Sequence, residues 1–395
     1  METALPIPSD DARAHSERLA GLIRAEIDTN GGYVSFSRYM ELALYAPGLG
    51  YYVAGAAKFG GAGDFVTAPG MSRLFGRALA AQIAAILAAT TRREIVELGA
   101  GNGRLAADLL SALAQRGALP SRYAILEPGA ELRERQRATI ERHAPEAADR
   151  VDWLDALPAS IDGAVIGNEV LDALPVHVVA RSGGSFHERG VTLAPKARSG
   201  GPAFAWSERP ADARLAALAR ARFPESDEYT SELNPAAEAL VQSLGTRLEG
   251  GALLLIDYGF PAAEYYHPQR SMGTLMCHYR HRSHGDPFAW PGLTDITSHV
   301  DFSAIAAAGT RAKLTVAGYT TQAAFLLGCG ILDELSAVGA PESISYIKAA
   351  APVQKLLSPA EMGELFKVLA LARSANIAWP GFALGERSHT LSSRR

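Results

Sequence analysis

Four groups of residues in this chain have the types and spacing to do chemistry. The first is Glu97-x-Gly99-x-Gly101-x-Gly103, a carboxylate two residues ahead of three alternating glycines. Glycines at such spacing let the backbone turn tightly and let a ligand approach without meeting a Cβ. A carboxylate there repels a diphosphate and attracts a cation. The second group is Asn168, Glu169 and Asp172, which bring two acids together at the end of an apolar run, where acids are depleted. Glu127 and Asp155 each close a shorter apolar run. The last group is histidine-rich: His278, His281 and His284 recur at intervals of three, with His299 further on.

Elements follow from the residues around these groups. Ile95, Val96 and Leu98 form a buried strand, and Leu105, Leu109, Leu110 and Leu113 resume as a helix after the glycines. A strand, a glycine turn and a helix open a nucleotide-binding βα unit, whose helix start adds free N–H groups and a positive dipole end. The dinucleotide form, G-x-G-x-x-G, fails because Arg104 stands in the third glycine place. S-adenosylmethionine carries an ammonium and a sulfonium and no phosphate, so the carboxylate suits it. The pattern resembles the first motif of class I S-adenosylmethionine-dependent methyltransferases, with another nucleotide or a chance glycine turn as the competing readings. It predicts binding of S-adenosylmethionine and S-adenosylhomocysteine, and not of NAD or FAD.

Later strands are expected at Tyr123–Leu126, Val151–Leu154, Gly163 onward, Leu253–Asp257 and Leu314–Tyr319. Glu127 falls where the second strand of such a fold places an acid on the ribose hydroxyls, with a solvated acid as the alternative. Asp155 either accepts from the adenine amine or caps a helix. Amphipathic helices are expected at Asp10–Asp28, Ser37–Leu44 and Ser72–Leu87, and three further helices up to Ala372. Between them, Tyr45–Pro69 is glycine- and aromatic-rich, the pattern of an ordered loop and a candidate lid. A small antiparallel insertion is expected from Val178 to Glu208. Pro261–His299 reads as a substrate-covering segment, with metal ligation by the histidine trio as the alternative.

The chain of 395 residues is 48% hydrophobic, enough for a large core, and its net charge of −4 gives no sign of a nucleic-acid partner. Two cysteines are too few for a disulfide framework or structural zinc. With no long apolar run and no secretory or mitochondrial leader pattern at the N-terminus, the expected location is cytoplasmic. The expected organisation is a helical region over 1–90, a cofactor-binding core over 91–178 and an insertion over 179–250. Core completion follows over 251–385, including a substrate-covering insertion over 260–300, and then a disordered tail over 386–395.

GDFVTAP (63–69), SRLFGR (72–77), GNEVLDALPVH (167–177), LLIDYG (254–259), GTLMCHYRHR (273–282), DITSHVDF (295–302) and TTQAAFLLGCGI (320–331) resemble one family in order and spacing. It is the MidA-like methyltransferase family, whose mitochondrial members assist respiratory complex I assembly. The resemblance implies an α/β fold with a seven-stranded, mostly parallel Rossmann-like sheet, a helical N-terminal region and α/β insertions forming a substrate lid. It implies protein arginine N-methylation with S-adenosylmethionine as cofactor, S-adenosylhomocysteine as product, and a protein partner such as a complex I subunit. Cofactor contacts are implied at Thr67, Pro69, Glu97, Gly99, Ala100, Gly101, Gly103, Glu127, Asp155, Asn168 and Glu169. Glu169 and Asp172, at the tip of the fourth strand, are the acids best placed to orient an arginine, with catalytic His299, Asp64 and Asp301 as weaker candidates. Read blandly, Asp172 caps a turn and Glu169 serves only the cofactor's amino group. Gly70 and Met71 stand where the family usually carries an acid. A small-molecule acceptor, or an assembly chaperone without turnover, is the alternative function.

Overall fold

The computed structural model describes residues 5–54, 67–194, 204–373 and 376–392. The chain divides into two compact units, one formed by Met1–Phe65, Asp172–Ala237 and Ala262–His299. The other is formed by Val66–Leu171, Glu238–Pro261 and Val300–Arg395. Both are assembled from separated stretches of sequence, so neither coincides with one of the consecutive spans expected from composition.

The second unit is built on seven strands: β1 Glu94–Leu98, β2 Arg122–Leu126, β3 Val151–Leu154, β4 Ile161–Asn168, β5 Leu248–Phe260, β6 Thr315–Thr321 and β7 Phe366–Ala372. They lie in the order β3-β2-β1-β4-β5-β7-β6, and Val300–Asp301 adds a short parallel pairing on β5. β1 to β5 run parallel, whereas β7 is antiparallel to β5 and to β6. This is the expected seven-stranded, mostly parallel sheet. Its central strands are continuous apolar runs because helices cover both faces. Ile95, Ile166, Leu254 and Ile256 join one large core with Leu79, Ile83 and Leu109 of the flanking helices.

β7 replaces part of the expected helical stretch ending at Ala372. Its sequence, Phe-Lys-Val-Leu-Ala-Leu-Ala, is fully buried, and an apolar run of that length has no periodicity to separate strand from helix. Residues 386–392, placed in a disordered tail by the sequence, include a 3-10 turn at Ser388–Leu391 with Leu391 buried.

In the first unit, helices Asp10–Thr29 and Phe36–Tyr45 start at Ser9 and Ser35, whose hydroxyls accept from Ala12 and Arg38 amides. The antiparallel insertion is present as strands His177–Ser182, Ser185–Leu193 and Phe204–Pro210. Strand Glu228–Leu233 joins it, pairing with His177–Ser182, and was not anticipated. The histidine-rich segment forms a three-stranded ribbon from Met276–Tyr279, Arg282–His284 and Asp295–Thr297. His278 and His284 lie on adjacent strands and His281 in the turn between them. Among the described residues, no group of three or more His, Cys, Asp or Glu is placed to hold a metal ion. No described helix is long and apolar enough to cross a membrane.

Candidate active site

β1 and β4 are parallel neighbours although two strands intervene in sequence. Strand order reverses there, and in open α/β sheets ligands bind at the carboxyl ends of the strands flanking such a switch. The Glu97 motif leaves β1 at that end and Asn168 closes β4 beside it.

All three motif glycines have left-handed backbone: φ is 60° at Gly99, 53° at Gly101 and 81° at Gly103. Gly103 starts the helix Arg104–Gln115, and a Cβ on it would lie 2.8 Å from the Gln136 Cα. A Cβ on Gly101 would meet nothing within 4 Å, so there glycine serves backbone conformation alone. The helix can begin with Arg104 because close packing is achieved elsewhere. Gly76, on the preceding helix, faces Asp108 so closely that a Cβ would sit 2.8 Å from that residue's own Cβ. The Arg104 guanidinium then folds onto the Asp108 carboxylate at 2.8 Å.

Glu97 points into the protein. It is 2% exposed and accepts from the Tyr123 hydroxyl of β2 at 2.8 Å. Burial pushes its pKa up to about 7 despite that hydrogen bond, so near neutral pH it is only partly ionised. Its attraction for a cation is correspondingly weaker than the sequence alone implies.

Glu127 is buried at the end of β2. One carboxylate oxygen accepts from the Gly129 amide at 2.8 Å and the other from Gln136 at 3.3 Å. The Gln136 amide also donates to the Gly101 carbonyl at 3.0 Å and accepts from the Trp153 indole at 2.8 Å. Gln136 therefore ties the glycine turn to Glu127 and to β3. Nothing in its polar helix sequence marks it, so only the fold identifies it. Asp155, by contrast, has an 85% exposed side chain paired with Arg133, and no helix starts at it. A hollow of about 450 Å³ bounded by Arg137, Glu141, Asp152 and Trp153 includes none of the motif glycines in its lining.

Beyond β4 the chain turns sharply. Glu169 has φ of 54°, a left-handed conformation that costs a non-glycine residue about 1–3 kcal/mol and clusters at functional sites. Its amide donates to the Ile256 carbonyl at 2.8 Å, and the next two amides, Val170 and Leu171, donate to Asp257 at 3.1 and 2.9 Å. Asp257, 1% exposed and three residues before the end of β5, also accepts from the Tyr258 amide at 3.0 Å. The sequence showed an acid ending that strand but gave no reason for it; the acid fixes the strained turn. The Glu169 carboxylate accepts from the Ala68 amide at 3.4 Å and from Asn168 at 3.0 Å. Thr67 and buried Pro69 open the short helix Ala68–Met71, to which Gly70 also belongs. The Asn168 side-chain oxygen is buried and has no partner among the described residues.

Asp172 and His299 belong to the first unit. Asp172 is 5% exposed, and its carbonyl accepts from the Ser298 amide at 3.0 Å. His299 donates its amide to the Thr274 hydroxyl at 3.1 Å. Asp301 takes the bland role, capping the helix Phe302–Arg311 by accepting from Ala304 at 3.1 Å. Asp64 lies outside the described residues, as does the 55–66 part of the candidate lid.

The residues at the strand switch fit S-adenosylmethionine. Asn168 presents an unmatched buried acceptor for an ammonium, Glu127 a fixed carboxylate for a vicinal diol, and Gly99 and Gly101 a backbone that a ligand can approach.

Comparison with known proteins agrees. Residues 78–320 match the family described as "Putative S-adenosyl-L-methionine-dependent methyltransferase". A Burkholderia thailandensis structure bound to S-adenosyl-homocysteine is 51% identical, with a TM-score of 0.92 over 98% of this chain and all of that one. The mitochondrial protein arginine methyltransferase NDUFAF7 of Mus musculus is 30% identical over 373 residues, 86% of this chain and 81% of that protein. The Caenorhabditis elegans homolog, also named mitochondrial, is 28% identical over 77% of this chain and 74% of its own length. These names contradict the cytoplasmic expectation. That expectation rested on the lack of a long apolar run and of a leader pattern, and neither distinguishes the cytosol from other compartments.

Proposed function

The chain belongs to the S-adenosyl-L-methionine-dependent methyltransferase family, and on that premise we propose that it methylates an arginine side chain of a protein substrate. The observation that carries this reading is the turn after β4, where buried Asp257 holds Glu169 in a strained left-handed conformation with its carboxylate fixed. The similarity to named protein arginine methyltransferases over 81% of the mouse protein supports the arginine. A subunit of a complex I type assembly is the proposed partner.

When bound, the cofactor supplies an electrophilic methyl group on a sulfonium. In the proposed division of labour, Glu127 takes the ribose hydroxyls, Asn168 the ammonium, and the Gly99–Gly103 backbone the body of the ligand. Thr67, Pro69 and Ala100 contribute contacts around it. Asp155, already paired with Arg133, is given no part.

A guanidinium stays protonated at neutral pH and spreads its charge over three nitrogens. It needs carboxylates that fork onto two of them and aim the third. Glu169 and Asp172 are assigned that task. His299 is assigned the proton released from the methylated nitrogen. Holding nucleophile and electrophile in near-attack geometry is worth up to about 7–11 kcal/mol, so orientation is the main demand on these residues.

Asp172→Asn tests the assignment. The amide keeps shape but loses the charge-assisted fork, about 1.5–3 kcal/mol, so arginine methylation should fall about tenfold to a hundredfold. Cofactor affinity should hold in calorimetry on the same preparation. Normal turnover would favour a small-molecule acceptor and a structural Asp172.

A further inference from the structure

Glu232 is a buried carboxylate that the mechanism above does not use. It lies on strand Glu228–Leu233, 2% exposed. The Thr274 amide donates to both its oxygens at 3.0 Å, and the Thr274 hydroxyl donates at 3.0 Å. The Leu275 amide and the Tyr265 hydroxyl add bonds at 3.2 Å each. Every one of these partners is a donor, which suits the ionised form, although burial pushes the pKa upward. Segment 273–275 folds tightly around the carboxylate. Gly273 has φ of 77°, and a Cβ there would lie 2.1 Å from a Glu232 oxygen.

The geometry continues in one direction. An ionised carboxylate only accepts, so the Thr274 hydroxyl spends its single hydrogen on Glu232 and turns a lone pair outward. That lone pair accepts from the His299 amide at 3.1 Å. One residue earlier, the Ser298 amide donates to the Asp172 carbonyl at 3.0 Å. The dipeptide Ser298–His299 is thus fastened at its first amide to Asp172 and at its second to the Glu232–Thr274 pair. All five residues lie within the first unit.

We infer that Glu232 and Thr274 are positioning residues for methyl transfer: the buried carboxylate orients the Thr274 hydroxyl, which fixes the backbone carrying His299 beside Asp172. The inference rests on the roles proposed for Asp172 and His299. Taking a carboxylate out of water costs free energy even where donors surround it, and an uncharged acceptor could satisfy the same donors at lower desolvation cost. Its place here is explained by the orientation it imposes.

Thr274→Val keeps shape and removes the hydroxyl, whereas Thr274→Ser restores it. In the valine variant, hydrogen exchange at the His299 amide should accelerate by about tenfold, the scale of one lost hydrogen bond. Its kcat for arginine methylation should fall by a similar factor, while the KM for S-adenosylmethionine stays within about twofold. Serine should recover both exchange protection and kcat. Glu232→Gln, which places an amide N–H₂ among donors, should also deprotect His299 and provides the test if the valine variant does not fold. Unchanged protection at His299 in a folded Thr274→Val or Glu232→Gln protein overturns the inference, as does a serine variant as impaired as valine. The exchange readout needs no methyl acceptor. A wild-type protein that transfers nothing to arginine would therefore refute the proposed function while exchange still judges the positioning.

Discussion

The Glu97 carboxylate is 2% exposed and takes its hydrogen bond from Tyr123, and desolvation raises its pKa from 4.5 to about 7. The folded state therefore holds that proton more tightly than the unfolded chain does. Its burden on stability is absent below about pH 4.5, grows as pH rises through the interval, and is complete above about pH 7. Glu97→Gln removes the charge and keeps an oxygen for Tyr123. The variant should match wild type near pH 5 and gain on the order of 2 kcal/mol by pH 8. Urea titrations at the two pH values measure this, and equal offsets at both would show that Glu97 does not titrate in this range. At Glu127 the expectation concerns the ligand. Glu127→Ala should weaken S-adenosyl-homocysteine by about 1.5–3 kcal/mol, the scale for hydrogen bonds to a charged group. The variant also strands the Gly129 amide and loosens Gln136, so its folding must be verified alongside the calorimetry. Unchanged affinity in a folded variant removes Glu127 from the cofactor site.

At the level of elements, the βα unit around Gly99–Gly103 was legible because each part has a local signature: an apolar strand, glycines and a 3.6-residue repeat. The structure adds why Gly103 cannot change. It combines φ of 81° with a Cβ position 2.8 Å from the Gln136 backbone, which cannot swing away as a side-chain tip could. Gly103→Ala should cost about 1–3 kcal/mol in chemical denaturation and loosen the cofactor turn with it. A variant as stable as wild type would mean that the helix Ala130–His143 shifts freely. Among the strands that escaped the sequence, two are instructive. Phe366–Ala372 is apolar throughout and offers no period, and Glu228–Leu233 is a short polar strand whose partner is distant in sequence. The paired acids after β4 were visible, but their support was not. Asp257 and Gln136 act through contacts that no spacing rule encodes.

For the molecule as a whole, local patterns gave a sheet and a list of insertions, while the assembly of two units from alternating stretches of chain came only from the fold. Glu169 is counted in the second unit and Asp172 in the first, although they are three residues apart in sequence. Compartment was the property that composition read least well, since nothing in charge or cysteine content separates a mitochondrial relative from a cytosolic protein. The proposed reaction is methyl transfer to a protein arginine. It is tested most directly by site-resolved mass spectrometry of complex I subunits from cells with and without this protein. An arginine in one subunit should carry the methyl mass increment only when the protein is present, and should carry it at a much lower level in cells expressing Asp172→Asn. Identical arginine methylation in both cell lines would contradict it.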